Sequence, residues 1–169
     1  GGGGGTTTGG AGEAGGVGEV RVWTVTGGTG SDLAEVYFST DISLEGGDVV
    51  AADPNVPKVG FVKSTKAYDG TMLGIVSTQP GYVLGDVTKP ETDKQVKPVQ
   101  LALSGRVPVK IDPDSPPIEV GDFLTSSDKP GLAKKATQAG YTVAKALQPW
   151  TPESGTSKIE AFVNLGYFM

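Results

Sequence analysis

Ile42-Ser43-Leu44-Glu45-Gly46-Gly47-Asp48-Val49-Val50 and Pro116-Pro117-Ile118-Glu119-Val120-Gly121-Asp122-Phe123-Leu124 carry one pattern twice: apolar, Glu, any residue, Gly, Asp, then two apolar residues. The match continues after a small gap, with Lys63-Ser64-Thr65-Lys66-Ala67 against Lys135-Ala136-Thr137-Gln138-Ala139 and Leu73-Gly74-Ile75-Val76 against Val143-Ala144-Lys145-Ala146. Internal repeats therefore fall at about 41–77 and 115–147, each running from an acidic turn through a strand and hairpin to a small-residue strand. Two like units suggest pseudo-twofold packing. In each turn the glycine, Gly47 or Gly121, supplies a position free to take positive φ. The aspartate, Asp48 or Asp122, can accept nearby backbone N–H groups and launch the next strand. Glu45 and Glu119 are expected on the solvent face. Read as a calcium site, two acids per turn supply too few oxygens for six to eight ligands, so the turns are assigned a structural role.

Working outward, β-branched runs are broken by Gly, Pro and Asp every 8 to 12 residues from Asp41 to the end. Strands are expected over Asp48–Ala52, Lys58–Lys63, Met72–Ser77, Val99–Leu103, Arg106–Ile111, Asp122–Thr125, Tyr141–Leu147 and Lys158–Leu165. That spacing predicts an all-β sandwich or barrel over residues 31–169. Ser31–Phe38 is open between a short helical turn capped by Asp32 and an irregular strand. The 12 prolines and the dispersed glycines interrupt every window in which a long helix could form.

Residues 1–30 hold 14 of the 27 glycines and predict an extended arm. Such a segment has little side chain with which to hold itself, so order there requires close-packed neighbouring backbones or a path along a partner's surface. Within it Glu19–Thr26 alternates and predicts one strand (19–26). Val20, Val22, Trp23 and Val25 are the assembly residues of that strand, expected to add it to a neighbour's sheet.

Composition removes several classes of chemistry. Histidine and cysteine are absent, which excludes a Ser-His-Asp triad, thiolate metal sites, cysteine nucleophiles and disulfides. No metal site and no cofactor is expected. The net charge is −5 with lysine and arginine scattered, so neither nucleic acid nor an anionic membrane is an expected partner. No apolar run is long enough to span a bilayer, and the Gly start points to a leader or larger N-terminal portion removed, or to a piece of a longer product.

Ser31-Asp32-Leu33-Ala34-Glu35-Val36-Tyr37-Phe38, followed by Leu44-Glu45-Gly46-Gly47-Asp48-Val49-Val50 and Met72-Leu73-Gly74-Ile75-Val76-Ser77, resembles the C-terminal domains of phage neck-appendage and tail-fibre proteins and related bacterial surface fibre proteins. The resemblance covers roughly residues 30–165 and departs at Leu33, where an aromatic is usual. It implies a trimeric β domain at the end of a fibre, which in some members is an intramolecular chaperone that cleaves itself from the fibre. A nucleophile and carboxylates for that cleavage would lie at Ser31, Asp32 and Glu35; the alternative is that Ser31-Asp32 simply caps a turn. A partial resemblance links the chain to small trimeric phage-capsid decoration proteins.

Other motifs yield less. Gly27-Gly28-Thr29-Gly30 lacks the Gly-Lys-Ser/Thr ending of a phosphate loop. Asp112 and Asp114 read as part of a Pro-rich turn. A pilin-like crosslink from Asn164 to Lys158 or Lys110 would need a buried lysine beside a carboxylate. Trp150, Tyr167 and Phe168 either complete the core or form an aromatic patch, and the segment Gly166–Met169 is expected to be covered by the fold or by a neighbour. The expected function is that of a non-enzymatic structural subunit of an extracellular, cell-surface or virion-associated homomeric fibre. A self-cleaving chaperone, a decoration-type trimer and a domain that displays loops to a glycan or receptor are the alternatives.

Overall fold

A computed structural model describes residues 23–24, 31–55, 60–85 and 96–169. Its strands are β1 (Trp23–Thr24), β2 (Ser31–Ser39), β3 (Val49–Ala52), β4 (Phe61–Lys63), β5 (Met72–Val76), β6 (Tyr82–Leu84), β7 (Lys97–Lys110), β8 (Phe123–Ser126), β9 (Ala133–Lys135), β10 (Gly140–Ala146) and β11 (Lys158–Phe168). They hydrogen-bond into one sheet of order β1-β6-β2-β7-β11-β10-β8-β9, with β5, β3 and β4 branching from β7. The all-β expectation holds. Among the described residues the sheet does not close into a barrel, since β1 and β9, at the two ends of the path, do not pair with each other. All the pairs are antiparallel except β2 with β6.

The two repeats fold alike, and the shared turn sets their geometry. Glu45 N–H donates to Asp48 Oδ2 at 2.8 Å, and Glu119 N–H to Asp122 Oδ2 at 2.7 Å. Gly47 and Gly121 both sit at φ 93°, where a side chain is strained. Gly47 N–H then reaches Val76 O at 2.8 Å and Gly121 N–H reaches Ala146 O at 2.8 Å, while Asp48 O and Asp122 O each accept the reciprocal amide at 2.9 Å. Each turn thereby locks the end of its own last strand. Glu45 and Glu119 are exposed, as expected.

Strand β7 is the spine. Sequence reading splits it at Ser104-Gly105, but it runs unbroken for 14 residues: Ser104 and Gly105 pair with Leu33 and Asp32 of β2, and the extra residue, Leu103, is taken up in a bulge opposite Leu33 and Ala34. A bulge lets a strand bend without ending its pairing. The spine pairs with β2 over Lys97–Arg106, with β5 at Leu101 and Ala102, and with β11 over Gly105–Lys110. Ser31–Phe38 resolves as strand, with alternating burial along β2.

The apolar core divides in two. The larger cluster gathers Val49, Ile75, Val107, Val109, Leu124, Val143, Trp150, Ile159 and others from both repeats. The smaller joins Leu44, Val50, Phe61, Val76, Val99 and Leu101. Trp150 finishes the larger core, with its indole Nε1–H donated to Thr156 O at 2.8 Å. Phe168 packs on Phe123 with ring centroids 5.5 Å apart. Tyr167 and Met169 stay 57% and 97% exposed, so the described residues of the chain leave them uncovered, and of the two expected covers, the fold or a neighbour, the fold does not supply theirs. Of the expected N-terminal strand, Trp23–Thr24 pairs with Val83 and Tyr82 of β6 in the same chain. Val20, Val22 and Val25, and the arm over residues 1–22, lie outside the described residues.

The repeats also clamp each other. Val49 N–H donates to Gly131 O at 2.8 Å, and Gly131 N–H returns to Ser64 O at 2.9 Å. Tyr68, at φ 54°, accepts the Thr137 and Gln138 amides on its hydroxyl at 2.8 and 3.2 Å. Gly140 admits the Tyr68 ring, since a Cβ there would lie 2.4 Å from Cδ1.

Candidate functional site

The residues singled out for chemistry stand at the start of β2, where it meets the bulge of β7. Asp32 lies opposite Gly105, and Ser31 opposite Arg106. Gly105 takes φ 112°, and a Cβ on it would lie 2.4 Å from Ser31 O and 2.6 Å from Asp32 Cα. Only glycine permits that approach of the two backbones. Arg106 Nη2 donates to Ser31 Oγ at 2.7 Å, and Gly81 N–H donates to Asp32 O at 2.8 Å. The Ser31-Asp32 junction is thus held on both sides.

Strand alternation separates the three candidates. Ser31, Leu33, Glu35 and Tyr37 share one face, while Asp32, Ala34 and Val36 share the other, in keeping with their burial. Four residues of strand put Ser31 and Glu35 roughly 13 Å apart, well beyond the roughly 3 Å that a nucleophile and its base need. Glu35 is also engaged, accepting the Tyr37 hydroxyl at 2.6 Å. Burial first, and the carboxylate of Glu35 second, push the Tyr37 hydroxyl up to about 12.

Asp32 differs from the other acids. It is 5% exposed, and its Oδ2 has no hydrogen-bond partner among the described residues. Burial raises its carboxyl above the ordinary aspartate value, only partly offset by the neighbouring Ser77 and its own backbone. The Ser77 hydroxyl is likewise buried without a well-formed hydrogen bond. The pair makes a polar point inside an otherwise apolar layer, beside a recess lined by Ser31, Thr78, Gln79, Arg106 and Glu160.

The turn acids form a second cluster. Asp48 is buried, and Lys110 Nζ reaches its Oδ1 at 2.7 Å and Glu45 Oε2 at 2.8 Å. Lys63 Nζ stands 3.6 Å from Asp48 Oδ2. Lys97 and Lys158 donate to the turn carbonyls of Leu44 and Gly46, both at 2.8 Å. Burial opposes the Lys110 charge, but its bonds to Asp48 and Glu45 outweigh it and hold the ammonium above its usual value. Four lysines thus serve one turn. Lys110 and Lys158 are cross-strand neighbours directed at this turn, and Asn164, exposed farther along β11, is not brought to them.

Asp112, read from sequence as a turn residue, does form the turn, accepting the Asp114 amide at 2.9 Å. It is also buried, with Lys129 Nζ 2.7 Å from Oδ1 and Ser127 Oγ bonded to Oδ2. Burial would raise this carboxyl, yet Lys129 and Ser127 hold it below the aspartate range. Lys129 sits where a cation would, between Asp112 and Asp114. Among the described residues, no group of three or more acids is placed to hold a metal ion, and no helix is long and apolar enough to cross a membrane. Arg106 and the lysine contacts were not found from sequence, since nothing local marks a residue whose partner lies 15 to 112 positions away.

No protein-family model matches the chain, and no curated protein matches it. Among solved structures, the fold is similar to part of the pre-mature gene product 12 of bacteriophage phi29, with 22% sequence identity and a TM-score of 0.52. The likeness covers 83% of this chain and 22% of that one, so this chain spans about a fifth of the phage protein and shares with that portion an all-β fold.

Proposed function

We propose that this chain is a structural domain of a virion-associated appendage or fibre, built from several copies of itself and without an enzymatic role toward other molecules. The observation that carries the reading is the likeness of fold to a portion of a bacteriophage gene product over 83% of this chain. The interior supports it. The acids Asp48, Asp122 and Asp112 are consumed in turn and lysine contacts, which is the use a scaffold makes of polar residues. The Gly-rich arm is assigned to contacts between copies. Light scattering on the full chain and on a version lacking residues 1–18 tests the arm: the account expects the shortened chain to form a smaller assembly, and an unchanged mass rejects the assignment.

A second reading, cleavage of the chain from a longer precursor beside Ser31, is favoured by one observation, the buried carboxyl of Asp32 with its raised pKa at the Ser31-Asp32 junction. Its chemistry would draw on a carboxyl whose protonated form burial favours and on enforced proximity within the chain. Glu35 and Ser31 are too far apart to act as a pair in one copy. Intact-mass measurement on a precursor extended before residue 1, with and without Asp32→Asn, decides it: cleavage that survives the substitution removes Asp32 from the reaction, and a precursor that stays whole removes the reading.

A further inference from the structure

The strand registers align Phe123, Lys145, Phe162, Arg106 and Ser31 as successive neighbours on β8, β10, β11, β7 and β2. Directly opposed residues project to the same face, so these five side chains form a row roughly 19 Å long across the sheet. Phe162 stands at its centre, 42% exposed, while its strand neighbours Ala161 and Val163 fill the core behind it. Leu33, one row along on β2, is 38% exposed. Lys145 lies over the Phe123 ring, 4.5 Å from its centroid. The row is aromatic and cationic in alternation, and open to solvent.

Lys63, Lys110, Lys129 and Lys135 each have a carboxylate partner, whereas Lys145 and Arg106 form no ion pair among the described residues. A surface that leaves a central Phe in water between two unpaired cations fits a partner offering an apolar side chain beside a carboxylate. The second repeat carries that combination. Glu45 of the first turn is bound by Lys110, but Glu119 of the second has no ion pair among the described residues, and Val120 beside it is 64% exposed.

We propose that the Phe162 row is the surface on which a second copy of this chain docks, through the neighbour's Glu119-Val120 turn. The inference rests on the self-assembly reading above and names its contact. A twofold contact centred on Phe162 would set Lys145 and Arg106 of one copy against the same cations of the other. Like charges in an interface are strongly unfavourable. The proposed contact runs head to tail between two different patches, and such a heterologous contact closes into a ring of three or more or, where the rotation does not close, extends into a filament.

Sedimentation equilibrium on the full chain and three surface variants tests this, with circular dichroism to confirm that each variant is folded. The wild type is expected at three or more copies. Phe162→Asp and Glu119→Lys are each expected to raise the dissociation constant at least tenfold, and Glu119→Lys combined with Arg106→Glu to recover much of the loss. A wild-type assembly that Phe162→Asp leaves intact overturns the proposed face while leaving self-assembly standing, as does a strict dimer. A monomeric wild type overturns the self-assembly reading and this inference together.

Discussion

Lys110 Nζ lies 2.7 Å from Oδ1 of Asp48, a carboxylate with 1% of its side chain exposed, across 62 residues of sequence. This contact ties the spine strand to the first turn, and the second turn has no equivalent: Asp122 meets Lys135 of its own repeat and is 26% exposed. The equal sequence motifs thus carry unequal energies.

Asp48→Ala is expected to cost about 3–5 kcal/mol, because it removes the buried partner of Lys110, leaving only the exposed Glu45, and strands the Glu45 amide. Asp122→Ala should cost about 1 kcal/mol, the loss of a partly exposed cap. Urea unfolding of both variants measures the difference. Lys110, with its pKa raised above the usual 10.5, contributes stability that is complete below that value and is lost as pH rises through the folded pKa. Wild-type stability should therefore decline above about pH 10.5, and Lys110→Met should show less of that decline.

Gly47 and Gly121 share φ 93°, but their surroundings differ. A Cβ on Gly47 would lie 3.1 Å from Pro108 O, whereas one on Gly121 meets nothing within 4 Å. Gly121→Ala should cost about 1–2 kcal/mol, the conformational penalty alone. Gly47→Ala should cost measurably more. Equal losses in thermal or urea unfolding would mean that the tight contact with β7 carries no energy.

Asp32 gives a pH dependence of the opposite sense to the paired aspartates. Its folded-state pKa is raised, so the folded protein favours the neutral carboxyl, and stability falls as pH rises from the unfolded value through the folded one. Asp32→Asn keeps the shape and removes the charge. It should stabilise the protein by roughly 1 kcal/mol at pH 7 and by much less at pH 3. Asp112, held low by Lys129 and Ser127, works the other way: its contribution is present above the unfolded value near 3.8 and is lost as pH falls through the folded pKa. Thermal unfolding of wild type, Asp32→Asn and Asp112→Asn at the two pH values separates these contributions.

What the sequence revealed and what it hid follow from the range of each interaction. The turns were readable because Glu45, Gly47 and Asp48, like Glu119, Gly121 and Asp122, act within four residues of one another. The strand identity of Ser31–Ser39 was hidden because its alternation of Asp32, Ala34 and Val36 buries a carboxylate where an apolar residue is expected. Ser104-Gly105, next to the bulge at Leu103, looked like a break, since glycine marks both strand ends and close backbone approaches. The roles of Lys110 and Arg106 depend on partners far along the chain and on the register of β7, which no local pattern encodes.

The central claim is that copies of this domain build a homomeric assembly. Sedimentation equilibrium of the unmodified 169-residue chain, at micromolar concentration and neutral pH, tests it most directly. The account expects a mass that is an integer multiple, three or greater, of the 17.2 kDa protomer. A single species of 17.2 kDa across that concentration range would contradict it.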